Sequence, residues 1–193
     1  MSHNVERPTH LNNSIRKEGM EDVAKPKKKS RKLPKAVRAE EFPPLIRAIP
    51  KKDLVTRIAF LLAYSAGMRI SEVLRCDKSH FRPNSIFIPE SKYGVERVVP
   101  IPKGWRKDFE KLLPLKTTER TLQRRMKSYA KKAKLNPLYT FHSLRHGFAT
   151  RALESGMPIN QVQVLMGHSN ISTTSIYTKA NPMDALKSFE DLF

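Results

Sequence analysis

Hydrophobic and polar positions follow two periods along this chain, and the helical one dominates. Residues 53–66 are apolar nearly all the way round. That pattern predicts a buried helix with Asp53 as its N-cap and Gly67 as its stop. A second helix is predicted from Arg69 to Arg75. The runs Ser85-Ile-Phe-Ile and Arg97-Val-Val-Pro-Ile flank Lys92-Tyr-Gly and read as a β-hairpin. Pro89, Pro100 and Pro102 limit it to a small or edge sheet. Residues 105–113 and 119–134 read as two further helices, the latter with Leu122, Met126 and Tyr129 as its apolar stripe. A helix over 142–154 ends at Gly156, and Pro158 is placed at the first position of the next, which Gly167 closes after Met166. Asn170–Lys179 reads as a short helix that Asn181-Pro182 breaks. Met183–Phe193 presents Leu186, Phe189, Leu192 and Phe193 on one face. These elements predict a mainly α fold with a small antiparallel β-sheet, an α+β arrangement.

Residues 1–38 depart from this pattern. They are polar, and 25–38 hold eight basic residues and no acid: Lys25, Lys27, Lys28, Lys29, Arg31, Lys32, Lys35 and Arg38. Pro26 and Pro34 discourage a continuous helix. This segment reads as a disordered basic arm before a folded domain over 39–182, with 183–193 as a separate C-terminal helix.

Charge narrows the partner. The 193 residues carry a formal net charge of +19 and a pI of about 10.3, which points to a polyanion. Nucleic acid fits better than a membrane, because no run approaches the roughly 18 apolar residues of a spanning helix. No charged-then-apolar leader opens the chain. The single cysteine, Cys76, excludes an internal disulfide and suits a reducing, cytoplasmic setting. It reads as a small packed residue. Arg120, Arg124, Arg125, Lys127, Lys131, Lys132 and Lys134 cover the polar face of the 119–134 helix and suit contact with a DNA backbone. Lys27, Lys28, Lys29, Arg31 and Lys32 suit the same role in the arm.

The chemistry concentrates between residues 140 and 180. His142, Arg145, His168 and Tyr177 fall within this short span. A phenol is a weak nucleophile at neutral pH because its pKa is about 10. It needs a base nearby and relief for the charge that develops on phosphate oxygens. Histidine supplies the first and arginine the second. His142 and Arg145 are three apart and share a helix face. His142 and His146 also have zinc-ligand spacing, but His-Ser-Leu-Arg-His lacks the glutamate of the metalloprotease motif and a third ligand, so no metal is expected.

The same residues carry a resemblance. HSLRHGFAT and LMGHSNISTTSIYTKA, with nine residues from His168 to Tyr177, resemble the second half of a tyrosine recombinase (phage integrase) catalytic domain. SAGMRISEVL at 65–74 is similar to the first-arginine box of that family, and SKYGVERVVPIP at 91–102 to its lysine-bearing hairpin. The pieces occur in family order across residues 40–182. The resemblance implies the tyrosine recombinase catalytic-domain fold and a site-specific recombinase that cuts and rejoins DNA through a 3′-phosphotyrosyl link. It assigns Tyr177 as nucleophile, Arg69 and Arg145 as a clamp on the scissile phosphate, and Lys92 as general acid. Arg97 is the alternative proton donor but is too basic to release a proton readily. His142 assists proton removal, His168 bonds a non-bridging oxygen, and Glu72 orients Arg69. No cofactor is implied. The partners implied are double-stranded DNA and further copies of the chain, as a tetramer on two DNA sites. The C-terminal helix either folds back on its own core or, as the resemblance implies, is exchanged between protomers. The family usually carries a separate helical domain before this one. Here about 40 residues precede the fold, which reads as either a minimal enzyme whose basic arm replaces that domain or a shortened gene product. The competing readings are a non-catalytic DNA-binding accessory or regulatory protein derived from a recombinase, and a type IB topoisomerase.

Overall fold

The computed structural model describes residue 1 and residues 35–89, 96–167 and 182–193. Helix α1 (Phe42–Ala48) carries Pro43 and Pro44 in its first turn, where an amide N–H has no intrahelical partner. Helix α2 (Leu54–Ser65) starts where expected: the Asp53 carboxylate accepts from Thr56 N at 3.2 Å and from Thr56 Oγ1 at 2.9 Å. Its buried residues run from Thr56 through Tyr64 on more than one face, so α2 is the central rod of the domain. It packs mainly on α5 (Phe141–Glu154), with Phe60 edge-on to Phe141 at 5.8 Å between ring centres. Helix α3 (Ile70–Arg75) follows the Gly67 turn, and Cys76 ends it, fully buried.

Strands β1 (Ser85–Ile88) and β2 (Arg97–Pro100) form the expected antiparallel pair, in register from Ser85 opposite Pro100 to Ile88 opposite Arg97. Helix α4 (Glu119–Lys132) buries Leu122, Met126 and Tyr129 as its stripe requires. Helix α6 (Ile159–Met166) ends at Gly167 in the left-handed conformation, φ +59°. Helix α7 (Pro182–Leu192) follows the undescribed residues 168–181. The helix expected over Asn170–Lys179 lies outside the described residues.

Several expectations need correction. The segment read as a helix over 105–113 is a 3-10 helix, Lys107–Leu112. Apolar spacing of four at Trp105, Phe109 and Leu113 matches the α-helical period, but Trp105 and Leu113 lie outside the 3-10 helix and pack against the core as flanking residues, with Trp105 stacked on Phe81. Pro158 stands one residue before α6, extended at ψ 138°, and its carbonyl accepts from Val162 N at 3.1 Å. The folded part begins before residue 39. Val37 is fully buried and its N–H donates to Ser143 O at 2.9 Å. Gly147 permits this crossing, because a Cβ there would lie 2.3 Å from Val37 O. In α7, Leu192 is exposed, and Ala185 takes its place beside Leu186 and Phe189 among the buried residues. Ala185 and Phe189 pack within the chain's own second core cluster, with Phe148, Leu165 and Met166.

Candidate active site

The site is built where arginines from three elements converge on one carboxylate. Gly67 turns the chain out of α2 at φ +65°, a conformation that favours glycine, and a Cβ there would also meet the Phe148 ring at 2.7 Å. Two residues later Arg69 caps α3. Its N–H donates to Glu72 Oε2 at 2.7 Å, and its Nη1 donates to Glu72 Oε1 at 2.9 Å. The contact expected between Glu72 and Arg69 is therefore present. Arg97, at the start of β2, donates Nη1 to Glu72 Oε1 at 3.0 Å and Nη2 to Oε2 at 2.8 Å. Arg145, one turn into α5, comes within 3.9 Å of Glu72 Oε2.

The same three arginines meet the end of α6. Arg97 Nε donates to Leu165 O at 2.7 Å, Arg145 Nη2 donates to Met166 O, and Arg69 Nη2 donates to Gly167 O at 2.8 Å. Arg145 Nη1 also donates to Gly67 O at 2.6 Å. The last carbonyls of a helix lack intrahelical donors and carry the negative end of its dipole, so cations gather there. Gly167 is required twice over: its φ is positive, and a Cβ would sit 2.8 Å from Arg97 Nη1.

Charge balance sets the chemistry. Three guanidiniums surround one carboxylate, leaving local positive charge in a partly dry setting. Burial, followed by the charges of Arg69 and Arg97, pulls the pKa of Arg145 down to about 9. Burial alone would raise the Glu72 carboxyl, but the hydrogen bonds and charge of Arg97, then those of Arg69, hold it at about 2. Among the described residues the cluster thus lacks negative charge, and an added anion would relieve it. Accessibility is graded: the Arg69 side chain is 21 % exposed, Arg145 7 %, Glu72 3 % and Arg97 1 %. A cavity of about 290 Å³, lined by Glu72, Arg75, His80, Ile88 and Pro89, opens beside the carboxylate. A larger cavity of about 470 Å³, lined by Ser65, Arg151, Phe189 and Phe193 among others, contains none of the predicted site residues.

Of the predicted site residues, Arg69, Glu72 and Arg145 come together. His142 lies on α5 one turn before Arg145 but is exposed, whereas Arg145 is buried, so the shared face has an outer and an inner end. His146 is half-buried; burial, then the charges of His142 and Arg145, lower its pKa. Lys92, His168 and Tyr177 lie outside the described residues, as do Lys27, Lys28, Lys29, Arg31 and Lys32. Arg124 is exposed on α4. Arg125 is not the free backbone-binding group the sequence suggests. Its Nη1 donates to Thr56 Oγ1 at 2.7 Å and to Asp53 Oδ1 at 3.2 Å, tying α4 to the cap of α2.

Residues 35–183 match the phage integrase family. The chain belongs to that family. The tyrosine recombinase XerA of Thermococcus kodakarensis is 37 % identical over 188 residues, covering 86 % of this chain and 66 % of that protein. The chain thus spans less than two thirds of that relative's length. The integrase from mycobacterium phage Brujita has the same fold, with a TM-score of 0.66 at 20 % identity over 86 % of this chain and 60 % of that one. So does the lambda integrase catalytic core, with a TM-score of 0.55 at 20 % identity over 69 % of this chain and 91 % of that one. This phage integrase family member therefore has the tyrosine recombinase catalytic-domain fold that its sequence motifs imply. Sequence reasoning missed how Arg97 is used. The available signal was strand alternation: Val99 is an inward position, so Arg97 is too, and an inward charge requires a buried partner.

Proposed function

We propose that the chain is a site-specific DNA recombinase acting through a 3′-phosphotyrosyl intermediate. The observation that carries this reading is the cluster of Arg69, Arg97 and Arg145 around the single carboxylate of Glu72, which leaves a built demand for an anion. A scissile phosphate supplies that anion. Arg69 and Arg145 hold its non-bridging oxygens, and His168 adds a further donor. Glu72 orients the Arg69 fork, which favours two-point contact with a phosphate. Tyr177 Oη attacks phosphorus as His142 assists removal of its proton. A bond forms between phosphorus and the phenolic oxygen, and the bond to the 5′ oxygen breaks. Lys92 protonates that leaving oxygen. The ester keeps the bond energy, so a 5′ hydroxyl from a partner duplex reverses the step.

Exchange between two duplexes requires a tyrosine for each of the four strands, which makes the working form a tetramer on two DNA sites. The net charge of +19 supports double-stranded DNA as the partner. Arg124 and the basic residues 27–32 contact its backbone. Exchange of α7 between protomers belongs to this reading of the assembly.

The test uses the full chain and a nicked suicide duplex built on the sequence that the protein selects from a random pool. The wild-type protein is expected to trap a covalent complex that resists denaturant. Tyr177→Phe keeps the ring and removes only the nucleophilic oxygen, so it should bind the duplex normally and form no covalent complex. Covalent linkage surviving in Y177F rules out Tyr177. No linkage with the wild-type protein favours the accessory DNA-binding reading.

A further inference from the structure

Arg97 is placed where a strand gains nothing from a charge. It opens β2, pairs through the backbone with Ile88, and turns inward as Val99 does, while Val98 between them is half-buried. Its buried guanidinium nonetheless finds a partner through each of its three nitrogens. Each oxygen of Glu72 accepts one bond from Arg97 and one from Arg69, so the plane of the carboxylate is fixed by two arginines from different elements. The third Arg97 nitrogen, Nε, donates to Leu165 O at the end of α6. At 1 % side-chain exposure, Arg97 is too enclosed to touch DNA or to protonate a leaving oxygen.

Stability alone is a poor reason for such a pair. Well-packed apolar residues of similar volume often replace a buried ion pair without loss. Position is a better one. Without Arg97, Glu72 would be bonded from the Arg69 side only, and the α6 carboxyl end would lose a donor next to Gly167, after which His168 follows in sequence.

We propose that Arg97 is a positioning residue for phosphate recognition: by fixing Glu72 and Leu165 O together, it sets the Arg69 fork and the end of α6 relative to each other. This rests on the recombinase reading above. It also gives Gly167 a second role, because any Cβ there would displace the Arg97 guanidinium.

The experiment compares the full-length protein with Arg97→Met and Arg97→Lys on the same suicide duplex. It measures binding, the rate of covalent complex formation at saturating protein, and the pH dependence of that rate. R97M is expected to bind normally and to cleave roughly tenfold to hundredfold more slowly, as small misplacements of a reacting group do. R97K keeps the charge but not the fork, and should fall between R97M and wild type. In R97M the rate should also fall at low pH, toward the ordinary carboxylate range, because Glu72 has lost the contacts that most favour its charged form. A folded R97M with the wild-type rate and profile overturns the inference and leaves the recombinase reading intact. Should R97M fail to fold, R97K decides by the same criteria. Failure of both to fold makes Arg97 a structural residue and overturns the inference. Absence of a covalent complex with the wild-type protein overturns both.

Discussion

At the scale of single residues, Glu72 shows most clearly how environment decides behaviour. Burial disfavours its charged form, yet Arg97 and Arg69 reverse that and hold its pKa at about 2, against an ordinary value of 4.5. A carboxyl depressed in the folded state stabilises the fold above its unfolded pKa and loses that stabilisation as pH falls through the folded one. The window here runs from about 4.5 down to about 2. The shift corresponds to stability on the order of 3 kcal/mol. Urea midpoints measured across that window should fall for the wild-type protein, and Glu72→Gln should lose this part of the pH dependence. An E72Q variant with the same acid sensitivity as wild type would assign the effect to other carboxylates. Tyr139 shows the opposite direction: burial, then its hydrogen bond to Glu41 at 2.7 Å, pushes the phenol up to about 12. Cys76, likewise pushed up to about 12 by burial and then Asp77, is a packed thiol.

At the scale of elements, α7 carries the choice its apolar face left open. It can fold back on its own core or dock on a neighbouring protomer. In the single chain its buried side chains are covered at home. Phe189 stacks on Phe148 at 5.1 Å, Phe193 stacks on Phe189 at 4.6 Å, and the Arg151 guanidinium lies over both Phe193 and Tyr64, at 5.1 Å and 4.5 Å. The cluster includes Leu165 and Met166, whose carbonyls meet Arg97 and Arg145, so α7 lies behind the site. Truncating a buried phenylalanine costs about 3–5 kcal/mol. Phe189→Ala is therefore expected to lower the melting temperature by roughly 10 °C, since each kcal/mol moves a chain of this size by about 2–4 °C. Thermal melts and sedimentation on DNA separate the alternatives. If F189A melts like wild type but loses higher-order DNA complexes, the helix acts between protomers.

At the scale of the whole molecule, the net charge of +19 is carried in part by the basic run that starts at Lys25. Val37 belongs to the core, so a clean truncation removes residues 1–33 and takes six of the eight basic residues in 25–38 with it. Each phosphate contact contributes roughly 0.9 to the slope of log affinity against log salt. The truncated protein should bind all duplexes more weakly by a similar factor and with a flatter slope. Fluorescence anisotropy across a salt series measures this, and an unchanged slope would place the arm away from phosphate. Among the described residues, no helix is long and apolar enough to cross a membrane.

Local signals determined where several of the described helices start, stop and face. Asp53 starts α2, Gly67 and Gly167 stop helices in the left-handed conformation, and the stripe of α4 faces inward, because caps, positive φ and helical period act over a few residues. The motif boxes likewise marked Arg69 and Arg145 from their neighbours alone. Only the tertiary structure decided which charges meet. Arg125 reaches Asp53 across 72 positions, and Arg97 reaches Glu72 across 25 and Leu165 across 68. Nothing within one helix or strand specifies such partners. They follow from how the elements pack, and packing also decides whether a basic side chain faces solvent, where it can meet DNA, or turns inward, where it must find a carboxylate or a carbonyl to remain charged.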